Sequence, residues 1–257
     1  MAAIRFSLFL VAAMLAGCGA EPATQPPPTA IADPCRHLSF EGSRFTACRY
    51  DARRHVLELA DEDAAGPLRG FARLRDHLGA RGGRLLFAMN AGMFDEAGRP
   101  IGLYVEAGRE RHAINLRAGP GNFHMLPNGV LAVDGEGHVA ILPSARYDPA
   151  ARPRWATQSG PLLVIDGALH PRISANGDSL YVRNGVGVAD PATAWFVISD
   201  EPVSFGRLAR FFRDALGCRN ALYFDGAVSG LWDPAASRLD QGHPIGPMVA
   251  VFAREDS

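Results

Sequence analysis

The chain has 257 residues, 47% hydrophobic and 21% charged, with 26 basic side chains against 27 acidic ones for a formal net charge of −1. That much apolar material builds a substantial core, which excludes intrinsic disorder as the main state, and the balanced charge provides no global field to draw the chain to nucleic acid. All 26 cations are arginine, so chemistry through a Schiff-base lysine, a phosphate-loop lysine or a Ser-Lys pair is excluded as well.

Met1-Ala2-Ala3-Ile4-Arg5, followed by a run from Phe6 through Gly17 that is apolar except at Ser7, reads as a secretory signal over residues 1–17, too short to span a bilayer. The run closes on Leu15-Ala16-Gly17-Cys18, which resembles the lipobox of bacterial lipoproteins. The resemblance implies cleavage before Cys18 and lipidation of that cysteine, hence a membrane anchor. Gly19, where an aspartate would favour inner-membrane retention, points to the outer membrane, so the expected location is the bacterial cell envelope on its periplasmic face. Residues 18–34 carry Pro22, Pro26, Pro27, Pro28 and Pro34 and read as a semi-extended tether. In an oxidising compartment Cys35 and Cys48 are candidates for a disulfide, which would contribute about 3 kcal/mol by restricting the unfolded chain. Cys218 reads as a buried small hydrophobe rather than a nucleophile.

From Cys35 to the end, residues 35–257 read as one domain of alternating strand-like and helix-like runs. Arg44 to Tyr50 and His55 to Leu59 are strand candidates. Leu68, Phe71, Leu74 and Leu78, at spacings of three and four, predict a helix ended by Gly79 to Gly83. Arg84 to Met89 is a continuous apolar run suited to a buried strand. Further strands are predicted at Ile101 to Glu106, Val130 to Asp134, His138 to Leu142, Leu162 to Ile165 and Ala194 to Ser199. A second helix is predicted over Phe205 to Leu216, with Ser204 as N-cap and Gly217 as its end. It leads into Ala221-Leu222-Tyr223-Phe224-Asp225-Gly226, a strand with a carboxylate at its carboxyl end, and Gly246 to Ala253 supplies a last strand. The pattern predicts an α/β (mixed α+β) fold, with a central mixed β-sheet flanked by helices and an active cleft at the strand ends.

No zinc-protease helix, Cys-x-x-Cys pair, Walker loop or Gly-x-Ser-x-Gly elbow is present, and no His and acidic residues stand at metal-ligand spacing. What stands out are amide and glycine clusters at the ends of apolar runs: Asn90-Ala91-Gly92-Met93-Phe94, Gly121-Asn122-Phe123-His124, Pro127-Asn128-Gly129, Gln158-Ser159-Gly160-Pro161 and Arg183-Asn184-Gly185-Val186-Gly187. Amides donate and accept, which suits sugar hydroxyls, and arginine suits a phosphate. The same Asn-Gly and Gly-Pro sequences also make turns, so a polar-ligand site and a set of tight turns both fit. Of the three tryptophans, Trp155, Trp195 and Trp232, only Trp232 is expected in a loop near Asp225; core packing is the default for Trp195.

Four of these blocks, in order, resemble the phosphodiester glycosidase family. Asn90 to Asp95, Gln158 to Gly167, Arg183 to Gly187 and Asn220 to Ser229 are similar to its blocks, over a span of about residues 35 to 253. Ala227, Gly230 and Asn184 depart from the family pattern, which has a second glycine, a serine or threonine, and a threonine at those places. The resemblance implies a hydrolase that cleaves a sugar-1-phosphate diester. Asp225 and Arg183 would be the catalytic pair, the arginine binding phosphate. Asn90, Gly92, Phe94, Asn122, His124, Asn128, Gln158, Gly160, Asn184, Gly226 and Ser229 would form the substrate site. The expected partner is a glycan or phosphosugar small molecule, with no nucleic acid. No cofactor is required and no metal ligand is assigned, a divalent metal remaining an open choice. The alternative is a non-catalytic lipoprotein that uses the same cleft to bind a glycan or a protein partner.

Overall fold

Successive side chains of a strand point to opposite faces, and in Thr193–Ser199 both faces are covered. Ala194, Phe196 and Ile198 enter one apolar cluster and Trp195 and Val197 another, so all seven residues of the strand are buried. The computed structural model that shows this describes Met1 and residues 33–255. The expected signal beyond Met1, Cys18 and the tether as far as Ala32 lie outside the described residues. The folded unit runs from Asp33, where the Asp33 carboxylate accepts the Cys35 amide at 2.8 Å.

The Thr193–Ser199 strand is third in a seven-stranded sheet ordered Cys35–Phe40, Ser43–Asp51, Thr193–Ser199, Asn184–Asp190, Asn220–Tyr223, Leu162–Ile165 and Ala168–Leu169. A second sheet runs Arg238–Leu239, Leu231–Asp233, Leu85–Asn90, Met248–Ala253 and His55–Ala60. A third runs Val139–Pro143, Gly129–Val133, Trp155–Ser159, Tyr104–Glu106 and Arg109–His112. Every strand pairing among the described residues is antiparallel. The expected central mixed sheet is therefore corrected to three larger antiparallel sheets and a two-stranded one, Glu62–Asp63 with Gly66–Pro67. Parallel pairing needs a crossover connection, usually a helix, and among the described residues there are two short α-helices, with strand at 41% against 15% for helices of all kinds.

The three sheets face one another. Tyr50, Phe196 and Leu222 from the first, Phe87 and Val251 from the second and Leu131 from the third share one buried core. The helices lie on the outer faces. Phe71–Leu78 sets Phe71, Leu74 and Leu78 against Met248, Ala250 and Phe252. Phe205–Arg210 starts at Ser204, whose side chain accepts the Arg207 amide as the sequence predicts, and passes into a π turn, Phe211–Ala215. That turn stacks Phe211 on Phe45 with centroids 4.1 Å apart. Cys35 and Cys48 lie opposite one another in the first hairpin and are disulfide-bonded. Cys218 is free and buried, and burial pushes its thiol up to about 12, which removes nucleophilic character.

Two strands lie where the sequence analysis predicts none. Trp155–Ser159 and Asn184–Asp190 carry the Gln158 and Asn184 motifs. Glycine disfavours strands in general, but at Gly187 a Cβ would meet the Phe212 ring at 2.5 Å and the Cys218 sulfur at 2.6 Å, so the bare backbone is what lets the π turn close on the sheet. Trp232 is likewise in a strand, packed beside the Phe71 helix, rather than in a loop.

One buried acid opposes this packing. Asp61 is 7% exposed, its Oδ1 has no hydrogen-bond partner, and burial, reinforced by Glu62 and Glu106, raises its pKa from 3.8 to about 7. The folded state thus holds a proton that the unfolded chain releases above pH 4. Stability should fall as pH rises from about 4 to 7, by on the order of 4 kcal/mol in all. Asp61→Asn should therefore raise unfolding stability in urea at pH 8 while changing it little at pH 4; equal effects at both pH values would contradict this assignment.

Candidate active site

Asp225 follows the strand Asn220–Tyr223 and begins a loop that returns to the second sheet at Leu231. Its Oδ1 accepts the amides of Gly226 at 2.7 Å and Ala227 at 2.9 Å, while Oδ2 makes no hydrogen bond among the described residues. Burial raises the Asp225 pKa above the ordinary 3.8, opposed by those backbone donors. The result is a fixed carboxylate with one oxygen free of protein hydrogen bonds and an affinity for protons above that of a solvated aspartate.

Two buried amides hold the loop from below. Asn184 Nδ2 donates to both Asn90 O and Asn90 Oδ1 at 2.8 Å, and Asn184 Oδ1 accepts the Asp225 amide at 3.1 Å. Asn90 Oδ1 accepts the Gly230 amide at 2.9 Å and its Nδ2 donates to Val228 O at 2.8 Å. Ser229 Oγ donates to Asp225 O at 2.8 Å. One bracket therefore fixes both ends of the loop to the first and second sheets. The sequence reading places Asn90 and Asn184 against substrate; the structure places them beneath the loop.

A cavity of about 380 Å³ opens beside Asp225, lined by Phe94, Ile101, Pro120, Asn122 and His124 among others. Asn122 is exposed, and its side chain has no hydrogen bond among the described residues. His124 Nδ1 donates to Arg117 O at 2.8 Å, which leaves Nε2 as the acceptor of the neutral ring. Across the loop lies a second cavity of about 460 Å³, whose wall includes Gly226, Ser229, Arg69 and His243. The sequence reading passed over Arg69 and His243; the only signal at the latter is the polar run Gln241-Gly242-His243 between two strands.

The other predicted residues are structural in position. Gln158 is saturated: Oε1 accepts the Leu103 and Asn115 amides, each at 2.9 Å, and Nε2 donates to Asn115 O at 2.7 Å and Ser144 Oγ at 3.1 Å. Asn128 Nδ2 donates to Phe123 O at 2.8 Å, shaping the turn that carries His124. Gly92 and Gly160 are buried and line neither cavity.

Arg183 departs furthest from expectation. It is 1% exposed, with Nε donating to Val203 O, Nη1 to Tyr223 Oη, and Nη2 to Ser179 O and Oγ, at 2.9 to 3.1 Å. The Phe205 ring centroid lies 3.7 Å from its Cζ. Four of the five N–H groups of a guanidinium are thus taken by protein oxygens, and no carboxylate pairs with it among the described residues. Desolvation pulls its pKa below the ordinary arginine value. Nη1 lies directly beneath Gly226, 3.2 Å from where a Cβ would stand, and that same Cβ would overlap Tyr223 Oη. Glycine at 226 keeps the loop in contact with this buried charge.

Asp134, Glu136 and His138, two residues apart in the sequence, come within ligand distance of one another on an exposed hairpin, a grouping that the expectation of no such cluster passed over. Asp134 Oδ1 there accepts the Glu136 and His138 amides, which is turn closure, and none of the three lines either cavity.

Removing the bracket should be costly in stability. Asn184→Ala leaves the Asp225 amide without its acceptor and takes the shared donor from Asn90 O and Oδ1, so a loss of about 2 to 4 kcal/mol is expected in denaturant unfolding; a loss under about 0.5 kcal/mol would show that the bracket does not hold the loop.

The model of the phosphodiester glycosidase family matches residues 83–252, which include Asn90, Arg183 and Asp225. The uncharacterised protein YigE of Escherichia coli K12 is 35% identical over 169 residues, 66% of this chain and 66% of that one. Among solved structures, the catalytic domain of zebrafish N-acetylglucosamine-1-phosphodiester alpha-N-acetylglucosaminidase, auto-inhibited by its pro-peptide, aligns with a TM-score of 0.59 at 13% identity, over 86% of this chain and 82% of that one. An exported protein of Burkholderia pseudomallei aligns at 0.56 and 12% identity, over 82% of this chain and 74% of that one. At such identities the solved structures speak for the fold alone, whereas the family match spans most of the folded unit. The chain belongs to the phosphodiester glycosidase family.

Proposed function

We propose that this chain hydrolyses a sugar-1-phosphate diester at the anomeric carbon, as a lipoprotein anchored through Cys18 in the bacterial cell envelope. The observation that carries the reading is Asp225, immobilised through Oδ1 with Oδ2 free, beside a cavity that also presents Asn122, His124 and Phe94. Water adds to the anomeric carbon, the bond from that carbon to the phosphate oxygen breaks, and the electron pair leaves on the phosphate as a phosphomonoester. The Asp225 carboxylate accepts the water proton or stabilises the oxocarbenium-like transition state. A phosphate leaving group needs little protonation, so one carboxylate suffices where ordinary glycosidases use two.

Departures from the family pattern in the loop have local accommodation. A Cβ at Gly230 would press on the Phe71 ring at 3.0 Å, and Ala227 is exposed with its amide still donating to Asp225. They give no support to the non-catalytic alternative.

The test is hydrolysis of α- and β-linked sugar-1-phosphate diesters with a chromogenic aglycone by the purified full chain, with and without chelator. Asp225→Asn keeps an Oδ1 acceptor for the loop amides, so it should retain the circular dichroism spectrum and lose roughly a hundred- to ten-thousandfold in turnover. Unchanged turnover in that variant would remove Asp225 from the mechanism.

A carboxylate acting in its ionised form also sets the pH profile. Because the Asp225 pKa is raised, kcat/KM should drop on acidification with a midpoint above 3.8, and this acid limb should vanish from the residual activity of Asp225→Asn.

A further inference from the structure

The loop that starts at Asp225 is a partition. Ala227 and Val228 line both the 380 Å³ cavity, which holds Asp225, and the 460 Å³ cavity on the other side. The two sides differ in charge. Among arginines and carboxylates, the first presents only the Asp225 carboxylate. The second presents Arg69, whose Nη1 donates to Glu96 O at 3.1 Å and whose guanidinium carbon lies 5.8 Å from the Phe94 ring centroid. Arg69 is half-buried and has no ion-pair partner among the described residues. The carboxylate on that side, Asp240, is already occupied: its Oδ2 accepts the Leu231 amide at 3.0 Å and pairs with Arg238 at 2.8 Å.

Two more features give the second cavity a positive potential. Arg183, buried and without a carboxylate, lies under Gly226 in its wall. The Phe71–Leu78 helix also begins there, preceded by Gly70, which has no side chain to cap it, and no acidic residue stands in its first turn. Its first backbone N–H groups are open to an anion. Arg69 itself is held at φ 53°, an uncommon conformation for a residue with a side chain, with its carbonyl accepting the Ile245 amide at 3.3 Å. An uncompensated buried cation and an unpaired half-buried one call for a negative ligand, and a diester phosphate beside the ionised Asp225 would instead be repelled.

We propose that the phosphate of the substrate diester sits in the second cavity with Arg69 as its charged ligand, and that the diester crosses the Gly226–Val228 segment so that its sugar lies in the Asp225 cavity. The aglycone extends along Phe71, Val182 and Ile245, the apolar part of the wall. On this assignment Arg183 acts on the phosphate through its charge from below, and Arg69 makes the contact that the sequence reading gave to Arg183. The proposal rests on the hydrolase reading for the identity of the diester, but the anion site is testable without turnover.

The experiment is titration of the full-length Asp225→Asn chain with phenyl phosphate, inorganic phosphate and free N-acetylglucosamine, followed by calorimetry and by amide chemical shifts. Phenyl phosphate should shift the Phe71, Ala72 and Gly226 to Gly230 amides. Arg69→Ala should weaken its binding about ten- to a hundredfold, Arg69→Lys should restore part of the loss, and the sugar should bind equally in all three backgrounds. Unchanged phenyl phosphate affinity in a folded Arg69→Ala chain, or shifts confined to the Asn122–His124 turn, would overturn the proposal. So would absence of any binding by phenyl phosphate and inorganic phosphate. Arg69-dependent phosphate binding without hydrolysis of any diester would retain this site and discard the hydrolase, whereas hydrolysis with a KM indifferent to Arg69→Ala would do the reverse.

Discussion

Asn184 Nδ2 reaches two acceptors on one residue of another sheet, Asn90 O and Oδ1, and the site depends on that junction. Antiparallel strands within a sheet are fixed by their own ladders, but nothing in a ladder relates one sheet to the next. Apolar packing relates them loosely, because it is not directional. The Asn90 and Asn184 pair supplies direction: Asn90 ends a strand of the second sheet, Asn184 begins one of the first, and the acceptors left over take the amides at the two ends of the Asp225 loop. Threonine at 184, with one hydroxyl, could not donate twice to Asn90 and still accept the Asp225 amide. The departure from the family pattern at this residue therefore coincides with a fuller hydrogen-bond set.

Such junctions explain what could be read in the sequence. Strands whose two faces are both apolar, such as Leu85–Asn90 and Thr193–Ser199, announce themselves as continuous hydrophobic runs, and the second helix announces itself by its apolar face and its Ser204 cap. Asn184–Asp190 did not, because its Gly185 and Gly187 look like turn residues and the reason for them, the Phe212 ring and Cys218 sulfur above Gly187, is more than twenty residues away in the chain. Antiparallel order was hidden in the same way, since alternating helix-like and strand-like runs resemble parallel βαβ units until the connections are seen.

At the site, residue type was legible and direction was not. An amide motif looks the same whether it faces ligand or protein, because both uses rest on the same donors and acceptors. Gln158, Asn90 and Asn184 turned inward onto backbone groups, Ser144 and one another, and Asn128 Nδ2 turned onto Phe123 O. Asp225 is brought to Phe94, Asn122 and His124 from more than a hundred residues away, so a pattern-based reading could find the members of the set without their arrangement. Arg69 escaped for a different reason. It belongs to no block, and its significance comes from the lack of a carboxylate near it, which only the fold can show.

The partition by the loop has a physical logic. As the proposed base, Asp225 needs an environment that raises its basicity without abolishing its charge, and burial opposed by the Gly226 and Ala227 amides supports that role. A guanidinium in the same cavity would cancel that balance and depress the pKa. Arg183 is kept apart by geometry: its N–H groups are taken by Ser179, Val203 and Tyr223, and its charge is felt under Gly226 on the far wall. A single short segment thus stands between the Asp225 carboxylate in one cavity and Arg69 in the next, with the Arg183 charge buried beneath it. On the proposed reading, that separation suits a ligand that brings its own negative charge to one side and its reacting carbon to the other.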